Sequence, residues 1–131
     1  MHADALRAYD DAGKAASSNR ELEARALFKA ARLLEACRTR WDDEGRDARL
    51  TEALRYNQRL WSFIEGEIAD PASPLPADVR ANLLGLAQYV DQRTFEVMAQ
   101  PEAEKLAVLV EIDRQLALGL SLPAVPGRTA A

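Results

Sequence analysis

Between Leu50 and Ile68 the side chains Leu50, Leu54, Asn57, Trp61, Ile64 and Ile68 recur at steps of 4, 3, 4, 3 and 4 residues. A helix of about 3.6 residues per turn puts such positions on one face, and a face that apolar has to be buried against another element. Composition says what that element is. Ala and Leu together number 43, whereas Val, Ile and Thr number 13. Unbranched side chains lose little rotamer freedom in a helix and β-branched ones lose more, so the partners are helices and not strands. At 131 residues, 48% hydrophobic and 29% charged, the chain is long enough for one domain with its own core. Wholesale disorder, a collagen-like repeat and a disulfide framework are excluded.

The remaining helices follow from the same patterning. Residues 3 to 12, with Ala5, Leu6 and Tyr9, form a short first helix that Gly13 and Ser17-Ser18-Asn19 interrupt. Ser18 and Glu21 then have the spacing of a capping box, which predicts a long helix with Leu22, Ala26, Ala30, Leu33, Cys37 and Trp41 inward. Asp42 to Asp47, with Gly45, breaks it. Asp70-Pro71-Ala72-Ser73-Pro74-Leu75-Pro76 is too rich in proline for helix interior and reads as a stiff connector. Beyond it Val79, Leu83, Leu86, Val90, Thr94 and Val97 share a face up to Pro101. From 102 to 120 a broad apolar face holds Leu106, Leu109, Val110, Ile112, Leu116, Ala117 and Leu120, with Asp113 in its middle. The expectation is an all-α, single-domain bundle of four main helices plus a short N-terminal helix over 1–120. The tail 121–131, with Pro123, Pro126 and Gly127, is expected to be disordered.

Catalytic chemistry finds little to use. The only histidine is His2 and the only cysteine Cys37, so a Cys or Ser paired with His, or a zinc site of the usual type, has no ligand set. The glycines are isolated and form no phosphate-cradling loop. In Asp42-Asp43-Glu44-Gly45-Arg46-Asp47 the glycine comes too early for a calcium-binding EF-hand loop. No enzyme activity, cofactor or metal is expected. Cys37 lies on an apolar stripe and reads as a buried, inert thiol. With no apolar run of roughly 20 residues, no N-terminal signal pattern and a single thiol, a cytoplasmic location is expected.

Three features bear on binding. The net charge is −4, but residues 20 to 59 hold ten Lys/Arg against eight Asp/Glu. Arg25, Lys29, Arg32, Arg49, Arg55 and Arg59, with Tyr56 and Trp61, could contact RNA through phosphates and stacking. Glu21 before Arg25 and Glu52 before Arg55 favour an internally paired, solvated face instead. Asn57 reads as a register-fixing buried amide. A lone carboxylate is costly to bury, so the expectation at Asp113 is a seam open to water or an arginine supplied by a neighbouring helix. Tyr56, Leu60 and Phe63 form a second apolar stripe, roughly 100° around the helix from the first. Either it offers a partner-binding groove, or Leu6 and Tyr9 of the short first helix cover it.

Taken together, Glu21-Leu22-Glu23-Ala24, the segment Leu50-Thr51-Glu52-Ala53-Leu54-Arg55-Tyr56-Asn57-Gln58-Arg59-Leu60-Trp61, the proline-rich connector, and Glu104-Lys105-Leu106 followed by Gly119-Leu120 resemble the flagellar biosynthesis regulator FlaF family. The resemblance covers about Tyr9 to Leu120, and members of that family often carry Asn where this chain has Asp113. It implies a small, non-enzymatic helical protein of flagellated α-proteobacteria, needed for flagellin production. It further implies flagellin as a partner in binding and export, with an FlbT-like regulator of flagellin mRNA translation acting alongside. An RNA-binding regulator of that mRNA, and a scaffold for FlbT or for itself, stand as alternatives. The oligomeric state is left open.

Overall fold

The computed structural model describes the backbone of residues 2–122 and the side chains of residues 19–122. Four helices follow in order: α1 (His2–Thr39), α2 (Arg46–Ala69), α3 (Ala77–Ala99) and α4 (Leu106–Ser121), the last entered through a 3-10 turn at Ala103–Lys105. No strand occurs among the described residues. The four main helices are therefore those expected, but the N-terminal element differs. α1 runs unbroken through Gly13 and Ser17 to Asn19, so residues 3 to 12 are not a separate helix and the Ser18-x-x-Glu21 pattern lies inside α1. One glycine costs a helix only about 1 kcal/mol, which alanine-rich flanks offset. The side chains of Leu6 and Tyr9, and the tail from residue 123, lie outside the described residues.

Contacts run in chain order around the bundle, most extensive between α1 and α4 and slightest between α3 and α4. Ala24, Ala30 and Ala31 on α1 and Ala117 on α4 are all buried, and such small side chains let helix axes approach closely. On α2 the whole expected seam is buried, together with Ala53. On α1 the inward face differs from expectation. Leu22 is 57% exposed, and the core takes Leu27 and Leu34 with the alanines and Cys37. An alanine-rich helix offers two overlapping registers, and the one that buries two leucines seven apart removes more apolar surface from water. On α3, Val90, Thr94 and Val97 are buried while Val79 is exposed. The Thr94 hydroxyl donates to the Val90 carbonyl at 2.7 Å, which satisfies it inside the core.

Arginines bind the ends of the helices. Gly45 takes φ 82°, a left-handed turn between α1 and α2. Across that turn the Arg49 guanidinium donates to the carbonyls of Arg40, Asp43 and Glu44. Arg80 donates to the Ile68 carbonyl at 3.0 Å, at the end of α2, and Arg20 to that of Leu122 at 3.0 Å, just past α4. Each supplies a donor where the last carbonyls of a helix have no partner within it.

Candidate partner-binding groove and buried polar link

Two sites stand out, one inside the bundle and one on its surface. Inside, Asn57, Trp61 and Asp113 are all at 0% exposure. Trp61 Nε1 donates to Asp113 Oδ1 at 2.9 Å, joining α2 to α4 across the diagonal of the bundle. With its amide turned so that Nδ2 faces the carboxylate, Asn57 donates to Oδ1 at 3.3 Å and Oδ2 at 2.7 Å. The expected opening to water or arginine partner at Asp113 is thus replaced by two neutral donors from the α2 seam. Burial pushes the Asp113 carboxyl up to about 7, and the Trp61 hydrogen bond opposes that rise. Asn57 can serve either protonation state, since its amide donates to a carboxylate from one orientation and accepts from a neutral carboxyl in the other.

On the surface, α1 and α2 leave a shallow groove. Leu60 and Phe63 face Leu22 and Ala26 across it, and Asn19, Glu23 and Glu67 complete its lining. Phe63 is 58% exposed, while Leu60 and Tyr56 are half-buried. Lys29 Nζ stands 4.9 Å from the centroid of the Tyr56 ring, a cation–π contact that joins the two helices. Tyr56 also borders a second depression with Arg55, Arg59 and Glu52. The three stripe residues therefore lie along one side of α2, two of them at the apolar groove and the third under a lysine. Sequence reasoning missed Leu22, which it placed in the core, and the pair Glu23 and Glu67, which only the packing of α1 on α2 brings together.

Those two carboxyls interact. Partial burial, a hydrogen bond from one carboxyl to the other and their mutual repulsion push Glu23 up to about 7. The sign follows: a raised carboxyl contributes most below its unfolded value of 4.5, and that contribution is lost as pH rises to about 7. Glu67→Gln removes the repulsion and supplies an amide donor. The Glu23 titration midpoint, followed by carboxyl carbon chemical shift, is then expected to fall towards 4.5; an unmoved midpoint would refute the pairing.

The arginine face also differs from expectation. Neither Glu21 with Arg25 nor Glu52 with Arg55 closes to ion-pair distance; among the described residues the pairs formed are Arg38–Glu35, Arg40–Asp43, Arg46–Asp47, Arg93–Glu96 and Lys105–Glu102. Arg25, Lys29 and Arg32 have exposed side chains. Replacing all three by glutamine is expected to change the unfolding free energy by no more than about 1 kcal/mol, most of it the Lys29–Tyr56 contact. A larger loss in chemical denaturation would show that they hold the fold.

Among the described residues no three His, Cys, Asp or Glu side chains gather as metal ligands. Cys37 is buried, and burial raises its thiol above the ordinary value, which keeps it protonated and unreactive. Among the described residues no helix is long and apolar enough to cross a membrane. No curated protein and no solved structure matches the chain. The family model described as flagellar protein FlaF matches residues 5–120, a span that takes in all of α2, the connector, α3 and nearly all of α4. A match over almost the whole helical bundle shows the family, and this chain belongs to the FlaF family of flagellar proteins.

Proposed function

We propose that this protein is a cytoplasmic, non-enzymatic chaperone and regulator that binds flagellin and supports its production and export. The observation that carries the reading is the apolar α1–α2 groove, open on a member of a flagellar family. Flagellin monomers hold long amphipathic terminal segments that are free before assembly, and a helical groove lined by Leu22, Leu60 and Phe63 is suited to receive one. An FlbT-like regulator is a further partner in this reading.

The test is titration of unassembled flagellin into the purified chain. Binding should be saturable and should survive 0.5 M salt with only a severalfold loss, whereas phosphate-driven RNA binding falls by about a thousandfold or more over a smaller range of salt. Tyr56→Ala and Leu60→Ser should each weaken flagellin binding by about fivefold or more while the domain stays folded, as anchors at a partly exposed site do. Unchanged affinity in folded variants would remove the stripe from the binding site. The second reading, direct binding of flagellin mRNA, is favoured by one observation: among the described residues Arg25, Lys29, Arg32, Arg55 and Arg59 have no carboxylate within ion-pair distance. Retention of a flagellin leader RNA with steep salt dependence, and none of flagellin, would establish it.

A further inference from the structure

We propose that the segment seated in the α1–α2 groove is a basic amphipathic helix of the partner: its apolar side chains cover Leu22, Leu60 and Phe63, and its Lys or Arg lies between Glu23 and Glu67. This rests on the flagellin-binding reading and adds the chemistry by which the groove selects its segment.

Leu22 and Phe63 are 57% and 58% exposed, large apolar side chains left to water on the two walls of one groove. Such a surface favours an occupant with an apolar face of its own. The charged groups in the lining are two carboxyls, Glu23 from α1 and Glu67 from α2, and no basic side chain lies among them. Glu23 follows Leu22 directly, and Glu67 is four residues, about one helical turn, beyond Phe63. Acid and exposed apolar surface are therefore side by side on both walls. A helix that buries its apolar side chains here brings a basic residue one turn away within reach of both carboxyls.

Packing sets these carboxyls against each other with no cation between them. Among the described residues neither makes an ion pair. The hydrogen bond from one to the other requires a proton, and with partial burial and the charge of Glu67 it pushes Glu23 up to about 7. Glu67 is the charged group that acts on Glu23; the rest of the lining, from α1 and α2 alike, is uncharged. An ammonium or guanidinium seated between the two supplies donors to both, removes their repulsion and displaces the shared proton. Other occupants meet a penalty. A nucleic-acid strand or an acidic helix brings further negative charge to both carboxylates. A wholly apolar segment covers them without a partner. Because the cation displaces a proton that the empty groove holds below about pH 7, binding strengthens as pH rises through that value.

The experiment uses the full chain and fluorescein-labelled, histidine-free peptides from the two terminal segments of the cognate flagellin. Each basic peptide is paired with a copy in which Gln replaces Lys and Arg, and intact flagellin is titrated in parallel. The variants are Glu23→Gln with Glu67→Gln, and Glu104→Gln as an exposed control on the 3-10 turn, with melting temperatures confirming that each is folded. At pH 8 the wild type should bind basic amphipathic peptides about fivefold or more tighter than their Gln copies, and the double variant should lose that preference. The control should change less than about twofold. Wild-type affinity for a basic peptide should rise about fivefold or more from pH 5.5 to 8, while that of the double variant stays level within about twofold. In the peptide-saturated wild type the Glu23 carboxyl carbon midpoint should fall from about 7 towards 4.5. Gln copies that bind as tightly as their basic parents, or an unmoved Glu23 midpoint, with intact flagellin still bound, would overturn this proposal and leave the function standing. Failure of intact flagellin to bind the wild type would overturn both. Self-association that the double variant loses, with no peptide bound, would assign the groove to a second copy of this chain.

Discussion

Trp61→Ala should lower the unfolding free energy by about 3 to 5 kcal/mol, the range for truncating a large buried aromatic. The melting temperature should fall by about 10 °C or more in a domain of this size. Two causes add. The indole is at 0% exposure in the centre of the bundle, so its removal opens a cavity among α2 and its neighbours. It also donates to Asp113, so the carboxyl loses the hydrogen bond that stabilises its charged form. Trp61→Phe separates the two: it fills most of the space but has no N–H, and should cost about 1 to 3 kcal/mol, the penalty for a buried group left without its partner. A melting temperature for Trp61→Ala within about 2 °C of the wild type would show that the diagonal link carries no stability.

Asp113→Asn should have the opposite sign at neutral and alkaline pH. In the folded chain the carboxyl sits at about 7, against 3.8 in the open chain, chiefly because burial penalises its charge. Its contribution to stability is therefore complete below about pH 4, is lost as pH rises through about 7, and is level above that. A rise of that size corresponds to on the order of 4 kcal/mol, and Asn57, when its amide faces the carboxylate, reduces it. The amide that Asp113→Asn introduces carries no charge to desolvate. It can accept from Trp61 while donating to a turned Asn57, so the link stays satisfied. The variant should be more stable than the wild type by about 2 to 4 kcal/mol at pH 8 and within about 1 kcal/mol of it at pH 4. Glu23 and Glu65 are also raised by burial and a neighbouring carboxyl, and they tilt both proteins alike, so the difference between the two curves reports Asp113 alone. Parallel curves from pH 4 to 8 would mean that Asp113 is charged in the fold at no cost.

Part of this molecule is determined locally. The all-α class, the connectors and the entire inward face of α2 are legible because a period of 3.6 and a proline cluster act on neighbours in the chain, whatever the rest of the fold does. The family was legible for the same reason, in contiguous segments such as Leu50 to Trp61. The stripe Tyr56, Leu60 and Phe63 could be placed on one side of α2, although not what lies across from it. Tertiary structure alone decided the rest. Which register of α1 faces inward depended on how much apolar area the neighbouring helices could cover, and that left Leu22 at the groove. The carboxyl of Asp113 met Trp61 and Asn57, and Glu23 met Glu67, because helix packing brings together side chains far apart in the chain. No spacing in the sequence encodes such a meeting: periodicity assigns a residue to a face, and the partner opposite it is set by how the helices are arranged around the shared core.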